Sequence, residues 1–386
     1  MAVRTLLLFD GLGSNHEGLI PELRRMYASP ENAAFFQVVL QTMDEVTDYL
    51  DSTSARRFSF RSILERRSFE PDEAPIDSFV AGLCVYTYQA CCLQPARRQE
   101  DGCVAALGHS IGLLAAIVAG LRLRRMDDFL DTVAAFLRLV AVSLARGQQL
   151  ATAADPDRSA VGRYRARVRR GAGPGPMASL AGLPRHELVD AVAGFNRDGG
   201  SLSVSLANSP SSHVLSGPTI ELLEFYFTHA AAFERAGATW LFLNNTVPFH
   251  SRHMAPAADR IDQDRRFIGR LPDGAQLGLP VYATDAPRNL QSSPDFIDEF
   301  LQQVLLRPIE WELVASHAIA DASIDRIVDY GPGAAARRFT RECLGTAARR
   351  VRFTPFQPSV ASRAPGGHNA MSNLPRPGCP TQRNGS

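Results

Sequence analysis

The chain has 386 residues, 45% of them hydrophobic, enough apolar material for one large core or two unequal ones. Its 41 basic side chains, all arginine, face 40 acidic ones, and the net charge of +1 sets up no field that would gather nucleic acid or an acidic membrane. No apolar run approaches the roughly 20 residues of a membrane span, and the short run at 5–9 is too brief for a secretion signal. The six cysteines (Cys84, Cys91, Cys92, Cys103, Cys343 and Cys379) form no CxxC pair and no metal-ligand spacing, so they read as reduced thiols of a cytoplasmic protein.

In chain order, residues 5–9 read as a buried strand running into the turn Asp10-Gly11-Leu12-Gly13-Ser14. Helical spacing follows at 19–26, 34–50 and 76–93. Residues 104–107 form a four-residue apolar strand that breaks at Gly108-His109-Ser110-Ile111-Gly112. A helix over 113–121 follows at once, and a longer one covers 127–150. The segment 151–176 is rich in Ala, Gly, Pro and Arg, including Arg163, Arg165, Arg167, Arg169 and Arg170, and reads as an exposed linker. Next come a strand (177–180), a helix (184–195), two strands (201–207 and 212–216), a helix (220–232) and a strand (240–244). That order is the split βαβ pattern of ferredoxin-like folds. Alternation then resumes with strand 281–283, helix 295–305, strand 326–329 and helix 334–343.

These elements predict an α/β fold. A large α/β-hydrolase-like domain with a parallel sheet takes residues 1–165 and 245–355, and a small ferredoxin-like α+β domain is inserted at 175–245. Residues 356–386, rich in Pro, Gly, Ser and Asn, read as a disordered tail.

Strand, glycine-flanked serine and helix are the context of a nucleophile elbow. A serine hydroxyl needs a base to take its proton and backbone N–H groups aimed where the oxyanion develops. Ser110 is the candidate nucleophile, and the N–H of Ile111 at the start of the next helix is a candidate oxyanion donor. The glycine turn at 10–14 also lets backbone approach a substrate. Nine histidines compete for the role of base; His109 adjoins the serine, His250 lies in Pro248-Phe249-His250-Ser251, and His253 lies one turn further on.

Taken together, FDGLGS at 9–14, GHSIG at 108–112, NSPSSHVLSG at 208–217, PFHSRHM at 248–254 and DYGPG at 329–333 resemble, in order, the acyltransferase domains of fatty acid and polyketide synthases. The resemblance covers about 350 residues, all but the tail. It implies Ser110 as acyl-accepting nucleophile, His250 as its base, and the N–H groups of Leu12 and Ile111 as the oxyanion hole. It orients the histidine by a backbone carbonyl, expected near Thr284, and places His109, Asn208, Phe249 and Arg146 against the substrate. No cofactor is implied: acyl-CoA is the donor and a phosphopantetheinyl acyl carrier protein the acceptor. In relatives that accept malonyl or methylmalonyl groups an Arg lies roughly 25 residues after the serine; here that position is Ala135, with Arg138 and Arg146 further along. A two-pronged carboxylate grip depends on angle as well as charge.

The expectation is therefore an uncharged starter acyl group, in the manner of starter-unit transacylases of fungal synthases, although those often carry Cys where this chain has Ser110. An extender-unit transferase, an editing thioesterase and a non-catalytic docking domain are the alternatives. The expected pocket lies in the cleft between the two domains, with Phe249 and Met254 on its wall.

Overall fold

The computed structural model describes residues 3–12, 18–50, 59–65, 77–97, 102–151, 158–168 and 171–356. The tail expected at 356–386 falls, from 357 on, outside the described residues. Among the described residues ten strands occur in chain order: β1 (Thr5–Phe9), β2 (Cys103–Gly108), β3 (Met177–Ala181), β4 (Ser203–Ser209), β5 (Ser212–Ser216), β6 (Thr239–Phe242), β7 (Val281–Tyr282), β8 (Ile309–Glu310), β9 (Arg326–Asp329) and β10 (Arg352–Pro355).

The first sheet has the order β10-β9-β1-β2-β7 and every pairing in it is parallel. Parallel sheets are covered on both faces, so their strands are apolar throughout rather than alternating. β1, TLLLF, follows that rule and is buried at all five positions. Helix Gly112–Gly120, which leaves β2, is likewise buried along its whole length. Because β1 and β2 are parallel neighbours with Phe9 opposite Gly108, the two glycine turns that follow them emerge side by side at the carboxyl end of the sheet. That end is where open α/β sheets bind ligands.

The second sheet has the order β6-β3-β5-β4-β8. Its four strands from 177–242 are antiparallel in the ferredoxin-like arrangement, and β8 joins β4 in parallel from the other part of the chain. Side chains alternate across these strands. Ala178, Leu180, Leu215 and Trp240 turn toward helices Arg185–Arg197 and Thr219–Ala236 and form a second core. Met177, Ser179, Val214 and Leu241 turn the other way and wall a cavity.

The linker reading of 151–176 is corrected over part of its length. Residues Arg158–Arg167 form a helix whose Ala160 and Tyr164, four residues apart, are buried in the second core. That spacing places both on one helix face, and arginine is itself a good helix former. Arg163 and Arg167 sit over the Phe227 ring at 5.2 and 5.8 Å. Arg169 and Arg170 lie outside the described residues. Among the described residues, no helix is long and apolar enough to cross a membrane, and Cys84, Cys91, Cys92 and Cys343 are free thiols.

Candidate active site

Three glycines shape the elbow by what their missing side chains permit. A Cβ on Gly108 would fall 2.1 Å from the Gly112 carbonyl oxygen, and one on Gly112 would fall 2.6 Å from that of Asp10. A Cβ on Gly11 would meet the His109 carbonyl at 2.8 Å and Ser110 Cβ at 3.2 Å. The chain can therefore turn sharply at Ser110, with the Asp10-Gly11-Leu12 turn pressed against it. The His109 N–H donates to the Phe9 carbonyl at 2.9 Å. Buried Gln89 donates to the carbonyls of Asp10 (2.8 Å) and Gly331 (2.7 Å). The Asp10 carboxylate accepts the N–H groups of Gly11, Ala335 and Ala336 at 2.9–3.1 Å, which caps helix Ala335–Leu344 and fixes the turn.

Ser110 has φ +53° and His250 φ +56°, two of the four non-glycine residues with positive φ among the described residues. Such conformations cost on the order of 1–3 kcal/mol each and persist where their surroundings over-determine them. The two residues face each other: Ser110 Oγ lies 2.8 Å from His250 Nε2. On the far side of the ring, Nδ1 lies 3.2 Å from the Arg307 carbonyl oxygen. A carbonyl can only accept, so Nδ1 carries the proton and Nε2 is left to receive that of Ser110. Burial, and after it the neighbouring His109, pushes His250 down to about 3 against the opposing pull of the Arg307 and Gln303 carbonyls. The imidazole is thus neutral at physiological pH, the state a base requires. His109 is also lowered, first by burial, against a hydrogen bond from its Nε2 to Asn208 Oδ1 at 2.9 Å and the Asp10 charge. Its ring packs edge-on against Trp311, 4.9 Å between centroids.

Ser110 and His250 open onto a cavity of about 240 Å³ that Leu12, His109, Asn208 and Phe249 also line. Ile111, with helical φ and ψ, occupies the position just before helix Gly112–Gly120. The first carbonyls taken up there are those of His109, Ser110 and Ile111, by the N–H groups of Gly112, Leu113 and Leu114.

Three expected residues lie elsewhere. The Thr284 carbonyl accepts the Glu310 N–H at 2.9 Å, so the carbonyl that faces His250 is that of Arg307. Arg146 makes a two-pronged ion pair with Asp264, at 2.8 and 2.9 Å, and does not line the cavity. Met254 is buried in the core beside Gly147, while Phe249 alone of that pair reaches the cavity wall. Arg138 is held by Glu45 at 2.8 Å. His253 bonds the Ser201 carbonyl at 2.9 Å. Sequence reasoning missed Arg338 and Phe339, which line the cavity rim from helix Ala335–Leu344. The Gly-Pro-Gly turn just before them was the available signal.

No protein-family model matches the chain. It is 27% identical over 180 residues to fatty acid synthase subunit beta of Saccharomyces cerevisiae, a match that covers 42% of this chain and 8% of that protein. It is 22% identical over 327 residues to hispidin synthase of Neonothopanus nambi, covering 84% of this chain and 17% of that one. The chain thus spans a small part of the curated relatives it matches. Among solved structures, the malonyl-transacylase complexed with its type II polyketide synthase acyl carrier protein superposes with TM-score 0.62 at 20% identity, covering 92% of this chain and 96% of that one. The malonyl-CoA:acyl carrier protein transacylase of Coxiella burnetii gives 0.63 at 19% identity, covering 92% and 94%. Over 92% of its length the chain therefore has the fold of the malonyl-CoA:acyl carrier protein transacylases, a large α/β domain with a small ferredoxin-like one.

Proposed function

We propose that the chain is an acyltransferase that moves an acyl group from coenzyme A to the phosphopantetheine thiol of an acyl carrier protein through an acyl-Ser110 intermediate. The observation that carries this reading is the 2.8 Å pairing of Ser110 Oγ with His250 Nε2, both backbones in the left-handed region, at the floor of a cavity between two sheets. His250 Nε2 takes the Ser110 proton as Oγ attacks the thioester carbon. The N–H groups of Leu12 and Ile111 receive the oxyanion. The C–S bond then breaks, and the thiolate of coenzyme A leaves with the proton from His250. The carrier-protein thiol returns by the same steps in reverse.

The acyl group we propose is an uncharged starter unit. In support, Ala135 stands where a carboxylate-gripping Arg would be expected, and Arg138 and Arg146 are each engaged by a carboxylate away from the cavity. The extender-unit reading has in its favour the names of the solved neighbours, which are malonyl transacylases, and Arg338 on the cavity rim. Intact-mass measurement after incubation with acetyl-, hexanoyl-, malonyl- and methylmalonyl-CoA, with Ser110→Ala alongside, separates them. Adducts from uncharged donors alone, lost in the variant, support starter loading. A malonyl adduct selects the extender reading, and no adduct with any donor removes the acyl-transfer reading.

A further inference from the structure

Helix Phe296–Phe300 continues as a π-helical turn over Leu301–Leu306, and Arg307 leaves it in an extended conformation before Pro308. In a π turn each N–H bonds the carbonyl five residues back, a rare geometry that recurs at functional sites. The Arg307 N–H does so, reaching the Gln302 carbonyl at 2.7 Å. The next bond in that register would run from residue 308 to Gln303, and Pro308 has no N–H to give. The Gln303 carbonyl thereby loses that partner, and the Arg307 carbonyl, just past the turn, is the one that faces His250 Nδ1, at 3.2 Å. The Leu305 carbonyl accepts the N–H of Ser251 at 3.0 Å, so two successive residues of the histidine loop are pinned to one turn.

The turn is held by a closed set of polar contacts. Gln303 is fully buried; its Oε1 accepts the Thr284 N–H at 2.7 Å and hydroxyl at 3.2 Å, and its Nε2 donates to Glu299 at 2.7 Å. Arg288 holds Glu299 with two bonds, 2.8 and 2.6 Å, and reaches Asp285 at 3.3 Å. The other oxygen of Asp285 accepts from the Arg307 guanidinium at 3.0 Å, which returns to the residue whose carbonyl faces His250. The Glu299 and Asp285 side chains are only 12% and 4% exposed. None of these residues lines the cavity.

We propose that Gln303 and the ring Glu299–Arg288–Asp285–Arg307 are positioning residues: they fix the π turn and the Arg307 carbonyl that follows it, and through that carbonyl the tautomer of His250 and the reach of its Nε2 to Ser110. The ring does the work that a carboxylate does in a serine–histidine–aspartate triad, one layer further out. The inference rests on the proposed role of Ser110 and His250, and its test uses a serine-directed fluorophosphonate, which Ser110 attacks with loss of fluoride and which needs neither coenzyme A nor a carrier protein. A misplacement of about 1 Å costs on the order of 100-fold. Gln303→Ala and Arg288→Ala are expected to lower the maximal labelling rate about 10- to 100-fold with the half-saturating probe concentration unchanged. Arg288→Lys, which keeps the charge but loses the two-pronged grip, falls between. Arg138→Ala, which removes an ion pair remote from His250, labels at the wild-type rate.

If Gln303→Ala does not fold, Arg288→Ala and Arg307→Ala, whose side chains are 36% and 56% exposed, carry the test. Unchanged maximal rates in the folded variants, or an effect on half-saturation alone, overturn the proposal. Wild-type protein that takes no label overturns it as well. Wild type that takes the probe but no acyl-CoA, with the variants slowed, upholds the ring and defeats the acyl-transfer reading.

Discussion

The state of His250 makes a quantitative prediction. Its proton affinity falls from the ordinary 6.5 to about 3 in the folded protein, chiefly because the ring is buried. The unfolded chain takes up a proton at this residue below about pH 6.5, and the folded protein does not until about pH 3. The contribution to stability is thus complete above 6.5 and is lost progressively as the pH falls toward 3. Between pH 6.5 and 5 the loss amounts to about 2 kcal/mol from this group, at about 1.4 kcal/mol per pH unit. His109, lowered in the same direction, adds to it. Denaturant midpoints at pH 7 and 5 measure the effect, and His250→Gln is expected to have the shallower dependence. The same shift governs catalysis. Because the folded ring stays neutral, single-turnover acylation of Ser110 is expected to hold its rate from pH 8 down to about 5, until other groups or unfolding intervene. An acid limb centred near 6.5, or an equal pH slope of stability in His250→Gln, would refute the argument that burial controls the base.

Other outcomes follow from single distances. Ser110→Gly and Ser110→Ala both abolish labelling, but the glycine variant is expected to be more stable by about 1 kcal/mol, since it alone relaxes the left-handed backbone at φ +53°; urea melts of the pair decide it. Gly11→Ala drives a methyl group to 2.8 Å from the His109 carbonyl and should cost about 1–3 kcal/mol while slowing acylation, because the group that must yield is the elbow itself. Arg138→Ala and Arg146→Ala should leave the ratio of acetyl to malonyl labelling unchanged, since Glu45 and Asp264 hold those side chains away from the cavity. A selective loss of malonyl transfer in either would return a carboxylate grip to the site.

The strands around Ser110 were legible because a parallel sheet needs unbroken apolar runs, and the runs at 5–9 and 104–107 end in glycine turns. The ferredoxin-like part was legible from its alternation. Helix Arg158–Arg167 was not, because two buried side chains among four arginines give a faint stripe that surface composition conceals. The carbonyl partner of His250 could not be read either: the π turn shifts the hydrogen-bond register by one residue, and apolar spacing over six residues does not report that shift. Pro308 marks where the helix must stop, but not which carbonyl it leaves facing the histidine.

Carbonyl groups in place of a carboxylate behind His250 also bear on why such a site would transfer rather than hydrolyse. A carboxylate would stabilise the imidazolium and strengthen the base. Here burial outweighs the carbonyls and the base is weak. Breaking down an acyl-serine requires deprotonating the attacking nucleophile, and a thiol near pKa 8.5 is about 7 units easier to deprotonate than water near 15.7. A weak base therefore discriminates against water before any exclusion of solvent is considered. For the acyl-Ser110 proposed here, the expected outcome is slow decay in buffer and rapid discharge on adding pantetheine, followed by intact mass over time. Comparable rates with and without the thiol would mean that the strength of His250 does not select the acceptor, and would favour a thioesterase.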